Sequence, residues 1–359
     1  MSGEGLPIRK ITISREDLYR LESDVWSNEF ASVKLEINGQ QMDALLRFRG
    51  GHTRTYPKKS YEIRYGSNHS QILHWNAEFD DPSMIRNALS FKFFNMINVP
   101  SPRTRHMSLE LNGYPHGVYL EIESVDDAFF KRRSIGSQAL IYAVNDKANF
   151  GLYDPETDQL KESLFEGYRV MKGSDETKTK LIRFVKRVNQ PATQNLKSFL
   201  SNRLDVYLYL KWLAGAVLTG NYDGFEQNYA LYEHTNSGKY RIIPWDYEGT
   251  WGRNCYGRLC GSDLVDVRGY NMLTKKVLSY KSYRQTYRKI LSNLLESKFT
   301  VKTLEPIIAD MYEKLTPAIR DDFTRKWPFS SFQDEPQVFT DYIQERRAIV
   351  QDELKNWNN

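Results

Sequence analysis

The sequence predicts an α+β fold of two lobes, a β-rich lobe over residues 1–123 and a mainly helical lobe over 124–359. Three observations predict it. Apolar/polar alternation punctuated by hairpin turns fills the first third of the chain. Helical periodicity fills most of the rest. The change falls near Glu123-Ser124, with no internal repeat or low-complexity tract to suggest another plan. Composition agrees: 40% hydrophobic and 26% charged residues suit a globular protein and argue against wholesale disorder.

The elements follow in order. Ser32–Ile37 alternates, Asn38-Gly39 supplies a hairpin turn, and Met42–Phe48 returns. Gly50-Gly51 marks a tight loop before Ser60–Tyr65. A helix is expected from Asp81-Pro82-Ser83, carrying Met84, Ile85, Leu89, Phe93, Phe94 and Ile97 at helical spacing until Pro100 and Pro102 end it. A second hairpin comprises His106–Leu111, the Asn112-Gly113 turn and Gly117–Ile122. The first lobe thus reads as a twisted antiparallel sheet with one helix. In the second lobe, Lys178–Val188 is amphipathic, and Val206–Leu218 is apolar on most sides, as a core helix should be. Further helices are expected over Lys281–Leu295, Val301–Lys314 and Phe339–Trp357. One β-hairpin, Tyr229–Glu233 and Tyr240–Pro244 around Asn236-Ser237-Gly238, interrupts them.

Charge and cysteine content narrow the function classes. A net charge of +5 is too mild for a dedicated nucleic-acid binder. The first ten residues lack the apolar core of a signal peptide, and no run approaches the ~20 apolar residues of a membrane span. The expectation is a protein made and kept in a cytoplasm, with no nucleic-acid or membrane partner. Cys255 and Cys260 have no second ligand pair at zinc spacing and are expected as thiols in a reducing compartment.

The chemistry-bearing cluster lies around the hairpin. An antiparallel hairpin brings the start of its first strand beside the end of its second. Asn228 and Asp246 should therefore be neighbours, with Asp223 on the loop just upstream. Mg²⁺ prefers hard oxygen ligands and commonly takes one or two carboxylates together with substrate phosphates. Asp246 offers a charged oxygen and Asn228 a neutral one. Asp223 is then placed to accept a proton from an incoming hydroxyl. The Asp223 to Asn228 spacing is that of the Asp-x-x-x-x-Asn element of kinase catalytic loops, and a hairpin followed by a metal-binding Asp repeats the kinase order. Two other readings fit the spacing. Asp223, Asn228 and Asp246 could simply end a helix, cap a turn and terminate a strand. Alternatively, Asp223 and Asp246 could be a glycosidase pair, although no carbohydrate cleft is evident.

The loop Arg47-Phe48-Arg49-Gly50-Gly51-His52-Thr53-Arg54, ending at Pro57-Lys58-Lys59-Ser60, combines glycines that permit close backbone approach with cations that complement phosphate. It matches neither Gly-x-x-x-x-Gly-Lys-Ser/Thr nor Gly-x-Gly-x-x-Gly. An exposed basic hairpin explains it equally well. Lys59 has the strongest claim on a phosphate because it immediately precedes a strand; Arg49 follows, with Arg54 and Lys58 behind. Arg86 is a further phosphate contact or an exposed cation. Glu121 is assigned to the nucleotide site; it, Glu78 and Glu123 are the acidic residues that could orient Lys59, and Tyr119–Val125 is either a hinge that cradles the adenine or a structural crossover. Trp245 and Trp251 are expected to pack rather than stack on a base.

These segments together resemble the CotH family. The residues carrying the resemblance are Arg49-Gly50, Lys58-Lys59-Ser60-Tyr61, Asp81-Pro82-Ser83 with Arg86-Asn87, Gly117-Val118-Tyr119, Asn221-Tyr222-Asp223-Gly224-Phe225, Asn228-Tyr229-Ala230-Leu231-Tyr232, and Ile243-Pro244-Trp245-Asp246-Tyr247 with Thr250-Trp251-Gly252. The likeness spans nearly the whole chain. It implies an atypical, kinase-like fold that binds ATP with Mg²⁺ or Mn²⁺ and phosphorylates Ser or Thr of proteins. It further implies that Asp223 is the catalytic acidic residue and Asp246 a metal ligand. A place in the spore coat, with Ser-rich basic coat proteins as substrates, is also implied. A non-catalytic, nucleotide-binding coat scaffold and a nucleotidyl transferase are the alternatives. Asp126-Asp127, Asp154, Glu156 and Glu248 are candidate contacts for a basic substrate.

Overall fold

The computed structural model describes residues 5–357. Contacts divide the chain into two compact units, each discontinuous in sequence. The first contains residues 1–88, 102–129 and 306–336, and the second residues 89–101, 130–305 and 337–359.

The first unit is built on a closed barrel of seven strands: β1 (Ile8–Ile13), β2 (Ala31–Ile37), β3 (Gln40–Arg49), β4 (Ser60–Tyr65), β5 (Gln71–Asn76), β6 (Thr104–Leu111) and β7 (Tyr114–Glu123). Their order is β1-β2-β3-β4-β5-β7-β6, and β1 closes the ring by pairing parallel to β6, with Ile8 opposite Ser108 and Ile11 opposite Leu111. A closed ring with one parallel pair thus replaces the twisted antiparallel sheet expected from sequence. The hairpins β2–β3 and β6–β7 are where the Asn-Gly turns place them, but β1 and β5 carry no comparable local signal. Closure removes the exposed strand edges that an open sheet would leave. Period-two patterning fills the interior: Ile11 and Ile13, Val33 and Leu35, Ala44, Leu46 and Phe48, and Tyr61 and Ile63 all face one core. Helix α1 (Arg15–Ser23), capped by the Ser14 side chain accepting from Asp17 N–H, adds Leu21 to that core.

Asp81-Pro82-Ser83 does not begin a helix. It forms a turn whose Asp81 carboxylate accepts from the backbone N–H of Ser83 at 2.8 Å and of Arg86 at 2.9 Å. Helix α2 starts at Arg86 and runs to Met96. Its later part, Leu89 onwards, belongs to the second unit. There Phe94 meets Tyr247 edge-on at 5.0 Å, and Phe93 packs against Trp251 and Phe299.

The second unit holds a four-stranded antiparallel sheet that the sequence shows only in half. After α3 (Asp127–Arg132), β8 (Ser137–Ala143) and β9 (Tyr168–Lys172) join β10 (Tyr229–His234) and β11 (Tyr240–Pro244) in the order β11-β10-β8-β9. Helices α4 (Glu176–Val188) and α5 (Gln194–Arg203) precede α6 (Val206–Thr219), which is buried along nearly its whole length. Gly215 sits inside α6 because any side chain there would strike the Phe94 ring; a Cβ would lie 2.2 Å from Cε1. Gly220, left-handed at φ 72°, ends α6 and releases the chain into the candidate site. Helices α7 (Met272–Leu278), α8 (Lys281–Ser297), α9 (Val301–Arg320) and α10 (Phe329–Asn356) complete the chain. Among the described residues, no helix is long and apolar enough to cross a membrane. Cys255 and Cys260 are thiols, not joined in a disulfide.

Candidate functional site

Asp223, Asn228 and Asp246 come together in the second unit by the hairpin logic. Tyr229 pairs with Pro244, and one step further out the Trp245 N–H donates to the Asn228 carbonyl at 3.0 Å. Both Asn228 (φ 58°) and Asp246 (φ 57°) are left-handed. Asn and Asp tolerate this region better than most residues, so their presence at the two turning points has a backbone reason as well as a chemical one.

The Asp223 carboxylate accepts two side-chain amides. Gln227 Nε2 donates to Oδ1 at 2.7 Å, and Asn228 Nδ2 donates to Oδ2 at 2.9 Å. An amide that spends its N–H on a carboxylate keeps its carbonyl oxygen as the remaining ligand atom. Asn228 is therefore tied to Asp223 through nitrogen and can offer oxygen to a cation. Asp223, Gln227, Asn228, Trp245 and Asp246 are all half-buried, so the group is both supported and reachable.

Asn221 is the residue that sequence reasoning missed. It is 1% exposed, its Oδ1 accepts from the Asp223 N–H at 3.1 Å, and its Nδ2 donates to the Asp246 carbonyl at 3.4 Å. One side chain thus spans the two acidic positions. Gly224 makes room for it, since a Cβ there would lie 2.6 Å from Asn221 Nδ2. An Asn two residues before an Asp at a helix exit is a common turn signal, and nothing local distinguishes this bridging role. Next to it, the Tyr222 hydroxyl and the Cys255 thiol lie 2.8 Å apart, and burial raises the proton affinity of both.

The oxygen donors at Asn228 and Asp246 suit a hard divalent cation that takes its other ligands from phosphate. Among the described residues, no group of three or more His, Cys, Asp or Glu is arranged to hold a metal ion. Trp251 is a packing residue: it is fully buried, stacks on Phe299 at 5.7 Å, and donates from Nε1 to Ser90 at 2.8 Å.

The remaining candidates lie in the barrel unit. Arg49 bonds to the Asn76 side chain. Lys59 is half-buried, with Nζ on the Arg54 carbonyl at 2.7 Å, and burial lowers its proton affinity. Arg54 is spent on backbone, donating to the carbonyl of Gly50 in its own loop and to those of Trp26 and Ser27 before β2. Lys58, placed with Arg54 behind Lys59 and Arg49 from sequence, is buried. Its ammonium contacts the Val118 carbonyl at 2.8 Å and Asp322 at 3.2 Å; burial, opposed by Asp322, brings it down to about 8. Its partner lies 264 positions away and could not be read from local sequence.

Arg86 and Glu121, both expected on the nucleotide, are committed to protein partners. Arg86 is 0% exposed and pairs with Asp81 at 2.7 Å and Glu335 at 2.6 Å. Burial opposes the Arg86 charge, but attraction to the two carboxylates outweighs it and raises the guanidinium above its ordinary value. Glu121 takes a bidentate pair from Arg9, at 3.0 and 3.1 Å, and a hydrogen bond from Trp75. Of the acidic residues suggested for a basic substrate, Asp126 caps α3 and Asp154 closes a turn with Lys147 at 2.7 Å.

The CotH kinase protein family matches residues 46–350. The chain is 36% identical over 353 residues to inner spore coat protein H of Bacillus subtilis (strain 168), covering 97% of this chain and 98% of that protein. It is 27% identical over 300 residues to the inner spore coat protein H-like protein of the same organism, covering 83% and 86%. Among solved structures it is similar to the Helicobacter pylori proinflammatory kinase CtkA, with 11% identity, TM-score 0.34, and coverage of 91% and 93%. It is also similar to a chain of the Shewanella oneidensis MR-1 HipA, HipB and operator DNA complex, with 12% identity, TM-score 0.42, and coverage of 98% and 76%.

Proposed function

The chain belongs to the CotH kinase protein family, and from that premise we propose that it transfers the γ-phosphate of ATP to Ser or Thr of spore coat proteins. The observation that carries the reading is the tethered triad: Asp223 held by two amides, with Asn228 and Asp246 beside it at the hairpin mouth. Asp246 and the Asn228 carbonyl oxygen would hold Mg²⁺ or Mn²⁺, which when bound neutralises charge on the phosphates. In the barrel unit, Arg49 and Lys59 are the cations assigned to phosphate. Arg86 and Glu121 serve the framework.

Asp223 orients the acceptor hydroxyl and takes its proton as the hydroxyl oxygen bonds to the γ-phosphorus. The bond from that phosphorus to the β–γ bridging oxygen breaks, and ADP leaves with the electron pair. Little covalent chemistry falls to the protein, so positioning and charge stabilisation supply most of the rate. The relatives are named inner spore coat protein H and inner spore coat protein H-like protein. Together with the family's kinase designation, this supports coat proteins as the acceptor class; Ser-rich, basic ones are the proposed substrates, and their phosphorylation is proposed to serve coat assembly.

Mass spectrometry of a Ser-, Lys- and Arg-rich acceptor peptide, incubated with the protein, ATP and Mg²⁺, tests the reading. Added phosphate on Ser or Thr is the expected product. Added AMP would replace the reading with nucleotidyl transfer, and an unmodified acceptor would favour a nucleotide-binding scaffold.

A further inference from the structure

Gln227 belongs to no motif that the sequence reading used, yet it makes the shorter of the two amide contacts to Asp223. We propose that Gln227 is a positioning residue that fixes the plane of the Asp223 carboxylate, an assignment that rests on Asp223 being the base of the proposed transfer.

The loop is built to hold Gln227 still. On one side, Phe225 is fully buried against Trp212 and Tyr270, and its carbonyl accepts from Asn271 Nδ2 at 2.6 Å. On the other, Asn228 leads directly into β10. Gln227 therefore has anchored backbone on both sides, and its side chain reaches back four residues to Asp223.

The two amide contacts divide the carboxylate evenly. Gln227 takes Oδ1 and Asn228 takes Oδ2, which removes rotation about the Cβ–Cγ bond as a freedom of the base. Each oxygen retains acceptor capacity for a hydroxyl. The two amides are not equivalent: Asn228 is also a proposed metal ligand, whereas Gln227 has no other assigned task. Gln227 is consequently the contact whose removal perturbs the base without touching the metal.

The test uses the full-length protein, with γ-labelled ATP and the Ser-, Lys- and Arg-rich peptide as probe. Gln227→Leu preserves bulk and removes the donor; Gln227→Lys keeps a donor and adds a charge. For Gln227→Leu, kcat is expected to fall about 10–100-fold, the scale of one lost hydrogen bond to a charged group. The KM for ATP and the thermal midpoint should hold.

The split between kcat and KM supplies a readout that a purely structural role would not move: kcat falls in Gln227→Leu while the KM for ATP and for the peptide holds. Gln227→Lys, which keeps a donor, should recover part of the lost kcat.

Wild-type kcat in Gln227→Leu would overturn the assignment while leaving the kinase reading intact. A lowered thermal midpoint with unchanged kcat would also overturn it. No transfer by the wild-type protein would overturn both.

Discussion

Asp223→Asn is expected to lower the proposed phosphate transfer by about 10²–10⁴-fold, the range for loss of a general base. The substitution is nearly isosteric, so its effect is electronic. An amide cannot accept the proton of the incoming hydroxyl. It also presents one oxygen and one NH₂ where the wild-type side chain presents two oxygens, so either Gln227 or Asn228 is left facing a donor. Because Asp223 is only half-buried, water can satisfy the displaced amide, and the fold should survive. Initial rates with γ-labelled ATP, alongside a thermal melt, separate the two effects. Undiminished transfer by a folded variant would remove Asp223 from the chemistry.

Arg86→Met destabilises the chain by about 3–5 kcal/mol, the scale for breaking a buried ion pair on one side. Asp81, Arg86 and Glu335 are each fully buried, and removing the cation leaves two carboxylates without it. The damage would spread within the barrel unit, where the same two chain segments are joined elsewhere. Arg325 donates to the Pro82 carbonyl at 2.7 Å, Lys326 bonds to Asp80, and Trp327 Nε1 donates to the Asp80 carbonyl at 2.9 Å. Replacing Glu335 with an apolar residue as well should recover part of the loss, because it removes one of the two desolvated charges, while Asp81 is kept for the backbone N–H groups it accepts. Urea unfolding monitored by tryptophan fluorescence gives both numbers. A single variant as stable as wild type would show that the triad is not structural.

The parts of the site that were legible in the sequence are those set by short-range geometry. A hairpin turn at Asn236-Ser237-Gly238 fixes which residues lie at its mouth, so the neighbourhood of Asn228 and Asp246 followed from spacing alone. Buried α6 was equally local. Long-range pairing was not legible. Closing the barrel requires β1 to find β6 about a hundred residues away, and β1 breaks the apolar alternation by placing Arg9 on its buried side. The fate of each basic residue was hidden for the same reason. Lys58 and Lys59 are adjacent and chemically identical, yet only Lys58 meets Asp322. Arg86 looked like an available cation because Glu335 is remote in sequence. Proline misled in a different way: α9 continues through Pro317 to Arg320, and α10 starts at Phe329 and continues through Pro336, where a local reading stops or delays the helix.

The most direct test of the account is calorimetric titration of a non-hydrolysable ATP analogue into the wild-type protein and Asp246→Asn, with and without Mg²⁺. The account predicts that Mg²⁺ tightens analogue binding to the wild-type protein and that Asp246→Asn loses about tenfold or more of that enhancement, since a carboxylate ligand to a hard cation is replaced by a neutral one. Equal Mg²⁺-dependent affinity in the two proteins would contradict the placement of metal and nucleotide at the hairpin mouth.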